Sequence, residues 1–186
     1  MRADAQKNYD HLLVVAREVV TEQGADASLR DVARRAEVGM GTLYRHFPTR
    51  EALFEALLRE SFDGLAASAA ELATADAAGP ALLAWLGDIV AVASIHSGVI
   101  ASMVAAIDDP ESALHASCVA MKAAGTRLLV RAQAAGVARS DVDGADLFAL
   151  VGALSWIKDQ PALAPRAERL FALISSALLT PKAPQV

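Results

Sequence analysis

Apolar side chains recur along the chain at three- and four-residue intervals almost from end to end, the spacing that gathers them on one face of an α-helix. Leu12, Leu13, Ala16, Val19 and Val20 form a first stripe, which Gly24 is expected to end. Ser28 is placed to cap a short second helix whose Leu29, Val32, Ala33 and Ala36 face inward. Val38-Gly39 reads as a turn, and a third short helix is expected from about Met40 to His46, with Leu43 and Phe47 one turn apart on its inner side. Pro48 closes that helix and Thr49 caps a long fourth one, in which Leu53, Phe54, Leu57, Leu58, Phe62 and Leu65 keep a single stripe well past Ser61.

After Ala77-Ala78-Gly79-Pro80 the pattern changes. From Ala81 onward the helices are longer and more apolar, with breaks expected at Asp108-Asp109-Pro110, Gly136 to Asp143 and Gln160-Pro161. Asp143, followed three residues later by Asp146, resembles a helix start. The tail TPKAPQV is too rich in Pro to continue a helix. No internal repeat and no pair of alternating strands is found. The predicted plan is all-α: a three-helix head in residues 1–62, joined by a long helix to a larger helical body in residues 63–186.

One stretch tests whether this body belongs in water. Residues 82–107, LLAWLGDIVAVASIHSGVIASMVAAI, hold only Asp88 and His96 as ionisable side chains. A membrane-spanning helix needs roughly 20 consecutive apolar residues. Here Asp88 falls early, SIHSG interrupts the middle, and basic flanks are missing. Two buried helices of a soluble protein, with no membrane partner, account for the segment better.

Composition sharpens this plan in two ways. Of the 186 residues 54% are hydrophobic but only 5% aromatic, so the core must be close-packed Ala, Leu and Val. A single cysteine, Cys118, excludes an internal disulfide framework and suits a reducing compartment. The charged N-terminus lacks an apolar run of the signal-peptide kind, and a cytoplasmic location is expected.

Charge is the more telling quantity. The formal net charge is −5, yet residues 28–50 collect Arg30, Arg34, Arg35, Arg45 and Arg50 against only Asp31 and Glu37. Arg34 and Arg35 are expected on the wet face of the second helix. The others coincide with a short helix, a tight turn and a second short helix packed on a longer first one, which describes a helix-turn-helix. At about 100° per residue, Leu43 and Phe47 point to one side of the third helix. Gly41, Thr42 and Arg45 then point away from it, with Tyr44 and His46 on the flanks. A small residue, a hydroxyl and a guanidinium on one outward face suit a DNA major groove, where Gly permits close approach and Arg grips guanine bidentately. Thr42, Tyr44 and Arg50 can donate to phosphates.

The run LRDVARRAEVGMGTLYRHFPTREALFEALL resembles the DNA-binding head of the TetR family of bacterial transcriptional regulators. The matching core is Gly41, Thr42, Leu43, Tyr44, Arg45, His46 and Phe47, followed by Arg50. The resemblance implies that Thr42, Tyr44, His46 and Arg50 hold the DNA backbone. It places Met40, Gly41 and Arg45 at bases, and Arg30 near a phosphate. It departs from the family pattern at Glu37, where a Gly is usual after the second Ala of the second helix; a positive φ is therefore expected at Glu37, the alternative being a shifted turn in which Gly39 takes that conformation and Glu37 stays helical. Residues 128–154 resemble the C-terminal half of a TetR subgroup with a ligand-binding and dimerisation domain. Family members usually repress, form dimers through their last two helices, and leave DNA when a small molecule fills the body. A homodimer on a pseudo-palindromic double-stranded operator follows as an expectation. Its seam is expected along Leu147, Leu150, Val151 and Leu154, and along Leu170, Leu173, Ile174 and Leu178.

The remaining polar residues leave alternatives open. His96 and His115 can be core residues or ligand contacts. Cys118 reads as a small buried residue, because no second cysteine exists to resolve a sulfenic acid. Asp108, Asp109 and Glu111 surround a Pro and read as loop and cap rather than a metal site. Trp85, Ile89, His96, Ile100 and Met103 are the expected contacts of an apolar effector, although a pocket lining and a core look alike in sequence. No HExxH, phosphate-binding Gly loop or Cys/His cluster is present, so neither enzymatic activity nor a cofactor is expected. A regulator or scaffold of the same fold without a ligand response is the rival reading.

Overall fold

A computed structural model describes residues 2–180, with side chains from Gln6 onward; the Pro-rich tail expected beyond Thr180 lies outside the described residues. The helices are α1 Arg2–Gln23, α2 Leu29–Arg35, α3 Met40–His46, α4 Arg50–Leu72, α5 Ala78–Ile95, α6 Ser97–Ser102, α7 Val104–Asp108, α8 Ala113–Ala134, α9 Gly144–Asp159 and α10 Ala167–Leu178. Among the described residues the extended pairing is a single isolated antiparallel bridge, Ala138 to Leu179.

The backbone divides by its contacts into two compact units, a head of residues 1–61 with 95–116 and a body of residues 62–94 with 117–186. The head thus takes in a segment that lies more than thirty residues downstream of the helix-turn-helix. Within the head, Leu12, Ala16, Val19 and Val20 of α1 are fully buried, together with Val32 of α2, Leu43 of α3, and Leu57 and Leu58 of α4. The stripe read from sequence is therefore the core of the head.

Its caps are local and specific. Ser28 Oγ accepts the Asp31 backbone N–H at 3.1 Å, and Thr49 Oγ1 accepts that of Ala52 at 3.1 Å. Helix α2 ends with the Val38 N–H on the Ala33 carbonyl at 3.0 Å and the Glu37 N–H on the Arg34 carbonyl at 3.3 Å. This crossed pair is the Schellman motif, which requires a left-handed residue between its two donors. Glu37 occupies that position at φ 56°, the conformation that a Cβ resists and a glycine adopts freely. Gly39 is extended, at φ −69°, and N-caps α3.

Gly79 and Pro80, after which the pattern changes, lie in the first turn of α5, where Pro is tolerated because its missing N–H would have no intrahelical partner. The chain leaves helix just before them, at residues 73–77. The second half differs from its sequence reading within residues 82–107, which form three helices rather than two. The extra interruption is at Met103, whose N–H turns back to the Ile100 carbonyl at 3.1 Å while Ser102 Oγ donates to the Val99 carbonyl at 2.8 Å. By length and composition α5 is apolar enough to cross a membrane, yet Leu82, Trp85, Leu86, Ile89 and Val90 are all buried within the protein.

In the body, Trp85 is 0% exposed and donates its indole N–H to the Leu65 carbonyl at 2.8 Å. Its ring lies over Gly125, where a Cβ would stand 2.2 Å from the indole, and edge-on to Phe148 at 6.1 Å. Helix α9 opens with a reciprocal cap: the Asp146 N–H reaches Asp143 Oδ1 at 2.9 Å and the Asp143 N–H reaches Asp146 Oδ2 at 3.1 Å. Of the two stripes expected at a dimer seam, that of α9 mostly faces inward, and that of α10 is buried only at Leu178. Leu147, Val151, Leu154 and Leu178 are core residues, whereas Trp156 and Leu173 are the large apolar side chains that α9 and α10 leave exposed.

Candidate nucleic-acid interface

The residues expected to face DNA fall at the start of α2, along α3 and at the start of α4. Leu43 and Phe47 anchor α3 from below at 0% and 2% exposure, which turns Gly41, Tyr44 and Arg45 outward. A Cβ at Gly41 would meet nothing within 4 Å, so no internal packing explains a glycine there. Met40, Thr42 and His46 are half-buried on the edges, and Arg30 is exposed on α2.

The five arginines separate by what they touch. Arg35 makes a bidentate pair with Glu22, and Arg34 bonds Asp31 one turn back at 3.2 Å. These contacts hold the carboxyls of Glu22 and Asp31 below the usual range, Glu22 chiefly through Arg35 and Asp31 chiefly through the Ser28 hydroxyl. Arg50 is positioned rather than neutralised: Nη1 donates to the Ala25 carbonyl at 3.0 Å and the guanidinium sits 5.5 Å from the Phe54 ring centre. Its Nε lies 3.9 Å from Glu51, an exposed and loose pairing. Arg30 and Arg45 have no side-chain or backbone partner among the described residues. Two unsatisfied guanidinium groups therefore remain on the outward face, as an anion-binding surface requires.

Sequence reasoning missed three supports of this surface. Tyr9 of α1 packs against Phe47 at 5.2 Å and edge-on to His46 at 6.0 Å, fixing the last turn of α3; burial pushes its phenol pKa up. Tyr9 precedes Leu12 by three residues and extends the α1 stripe, the periodic signal that marks it. His11, exposed on α1, donates from Nε2 to the Ala36 carbonyl at 3.2 Å and caps the end of α2. The turn Gly24–Asp26 packs against α6, with Gly98 so close that a Cβ there would lie 3.3 Å from Ala25 Cβ. Ala25 thus touches α6 and also holds Arg50.

The five residues expected around an effector divide between the units. Trp85 and Ile89 are core of the body, and His96, Ile100 and Met103 belong to the head. His96 is 3% exposed, with Nε2 3.5 Å from Ser61 Oγ. The Ser61 hydroxyl proton is committed to the Leu57 carbonyl at 2.9 Å, so the imidazole donates and Nδ1 is left a buried acceptor with no hydrogen bond. Burial, reinforced by the Arg17 guanidinium, lowers the His96 pKa and keeps the ring neutral. His115 donates from Nδ1 to the Ile107 carbonyl at 2.8 Å and caps α7. Cys118 is buried, and among the described residues no group of three His, Cys, Asp or Glu could hold a metal ion.

Comparison with known proteins agrees with this geometry. The family described as bacterial regulatory proteins, tetR family, matches residues 12–57, and the C-terminal domain described as transcriptional regulator SbtR-like matches residues 77–179. A TetR transcriptional regulator of Streptomyces coelicolor is 34% identical, with 94% of this chain and 99% of that one covered at a TM-score of 0.75. A TetR transcription regulatory protein of Mycobacterium vanbaalenii is 31% identical, covers 96% and 99% of the two chains, and has a TM-score of 0.71. Among curated relatives, an HTH-type transcriptional regulator of Staphylococcus aureus is 37% identical over 65 residues, a match spanning 33% of this chain and 34% of that protein. The chain belongs to the TetR family of transcriptional regulators, a family of non-enzymatic DNA-binding proteins that usually act as dimers.

Proposed function

We propose that this protein is a homodimeric repressor whose two heads grip a pseudo-palindromic double-stranded operator and release it when a small, largely apolar molecule occupies the body. The observation that carries the DNA half is the outward face of α3, where Arg45 has no internal partner and Gly41 leaves open space above the helix. Arg45 reads a base edge bidentately, Gly41 allows the helix to approach the groove floor, and Met40 contacts a base beside it. Thr42, Tyr44, His46 and Arg50 hold backbone phosphates, with Arg30 adding a further phosphate contact from α2.

The dimer is supported by the outer faces of the last two helices. On α9, Ala149, Gly152 and Ala153 surround Trp156, 58% exposed, and α10 presents Leu173, 54% exposed. An aromatic anchor among small residues suits a self-complementary seam. Two heads then span half-sites on one side of the duplex, separated by whole helical turns.

Selection of bound fragments from random DNA, combined with sedimentation, tests this reading. A recovered inverted repeat bound by a dimer supports it. Recovery of no common sequence, or a monomer at micromolar concentration, overturns it. A reporter driven through the selected site sets the sign: transcription should fall when the protein is present.

A further inference from the structure

We propose that the body of this protein binds a small zwitterion of amino-acid type in a cavity formed by α5, α9 and α10. This rests on the reading of the chain as a ligand-responsive regulator and deepens it. The cavity has a volume of about 190 Å³, with Gly87 and Val90 of α5, Leu154 of α9 and Phe171 of α10 forming its apolar walls. An engineered apolar cavity of roughly 150 Å³ holds benzene, so this one holds a single ring or a branched chain with little to spare. None of the walls coincides with Trp85 or Ile89, whose side chains are consumed by packing within the body.

The head group is indicated by the mouth. Lys158 and Glu168 both line the cavity, and among the described residues neither forms an ion pair or hydrogen bond, with each other or with any other side chain. Their positions in the last turn of α9 and the first turn of α10 suit the helix dipoles, which accounts for their signs. Both side chains are exposed at the rim of one open apolar cleft, where they are free to meet the charges of a ligand. A carboxylate facing Lys158 together with an ammonium facing Glu168 satisfies both, and leaves the apolar remainder of the ligand on Val90, Leu154 and Phe171. A simple anion would meet Glu168 at like charge, and a simple amine would meet Lys158.

A second copy of the chain is a poorer occupant. At about 100° per residue, Trp156 lies far round α9 from Leu154 and Lys158, and Leu173 lies roughly opposite Phe171 on α10. The cavity therefore opens on the flank away from the exposed apolar side chains. Helix α5, which supplies one wall, runs on into His96 and α6, so displacement of that wall is passed along the chain to the segment that packs in the head.

Calorimetry on the full-length protein with phenylalanine, leucine, benzoate and phenethylamine tests the proposal. One of the two zwitterions should bind saturably, and benzoate and phenethylamine about tenfold more weakly. Lys158→Gln and Glu168→Gln should each weaken the zwitterion about tenfold with unchanged melting temperature in its absence. Gly87→Leu, which fills the cavity, should abolish binding; the two surface variants keep the test decisive if that protein fails to fold. Absence of saturable binding by either zwitterion, or binding unaffected by both charge variants, overturns the site. Operator release is measured separately. A zwitterion that binds without releasing DNA overturns the release reading and leaves the site standing. Release by another compound that is insensitive to all three variants, with no saturable binding of either zwitterion, overturns the site and leaves release standing.

Discussion

Helices α3 and α9 each carry a glycine on an exposed face with open space above it, Gly41 and Gly152, and they surround it with opposite chemistry. Around Gly41 stand Arg45, Tyr44 and Thr42; around Gly152 stand Ala149, Ala153 and Trp156. A helical glycine costs roughly 0.5–1 kcal/mol relative to alanine, so neither position helps the isolated subunit. On the proposed function, both lower the helix surface for a partner that lies against it from outside. Unpaired guanidinium and hydroxyl groups fit a polyanion with a hydrogen-bonding floor, whereas small apolar residues about an indole fit another protein surface. The backbone device is shared, and the flanking side chains decide the partner.

Breaking the α9 face should have the larger consequence. Trp156→Asp should yield monomers by sedimentation and lower operator affinity by about 100-fold or more, because the second head loses its effective concentration on the same DNA. A folded monomer with unchanged operator affinity would show that the α9 face contributes nothing to DNA binding. On the α3 face, Arg45→Ala should cost about 1–3 kcal/mol of operator binding and relax the preference at one base pair, read by repeating the selection. Tyr44→Phe provides the contrast, weakening all sequences alike.

Smaller effects sharpen the comparison. Glu37→Gly should raise stability by about 1 kcal/mol, since φ 56° strains a residue with a Cβ, although the freer unfolded chain offsets part of the gain. Removing that carboxylate beside the DNA face should also tighten binding, more at low salt than at high. A lowered melting temperature would contradict the strain argument. Gly41→Ala should raise the melting temperature slightly, by the same 0.5–1 kcal/mol helix preference noted for alanine, while weakening the operator complex. Equal or tighter DNA binding would remove close approach as the reason for that glycine.

The smallest effect separates head from body by pH. The His96 pKa is depressed in the folded head, so the unfolded chain binds the extra proton. The stabilisation from its neutral burial is complete above the ordinary histidine value of 6.5 and is lost as the pH falls below it. Hydrogen exchange at acid pH should therefore open the amides around Ser61 and His96 before those around Trp85. Simultaneous opening, or no change in a His96→Asn comparison, would exclude this residue as the cause.

Much of the head was legible in order along the chain. The bounds of α3 and the Ser28 and Thr49 caps, like the Asp143–Asp146 cap of the body, follow from interactions within four or five residues, and such interactions leave a direct periodic or positional mark; the left-handed Glu37 was marked by the family resemblance. The arginines show where that ceases. Arg34 finds Asp31 one turn away, but Arg35 finds Glu22 and Arg50 finds the Ala25 carbonyl only because α1 and its turn fold back beside them. Residue type and spacing are equally compatible with paired and free guanidinium groups. Only tertiary packing left Arg30 and Arg45 without partners on the surface.

The apolar half of the problem divides in the same way. Helical period alone determined that Leu147, Val151 and Leu154 share a face, as do Leu173 and its neighbours at helical spacing on α10. Whether each face looks to the core or to solvent depends on the rotation of the helix against the rest of the body, a quantity that no single stripe contains; packing turned most of the α9 stripe inward and left Trp156 outside. Trp85 and Ile89 carried the same ambiguity between pocket and core. The small residue Gly125, forty positions away, resolved it by making room for the indole, and an apolar cleft of the body formed elsewhere, where α5, α9 and α10 meet. Sequence determined the helices and their polarity, because those depend on neighbours along the chain. The tertiary structure decided which faces meet, because that depends on how whole helices fill space against one another.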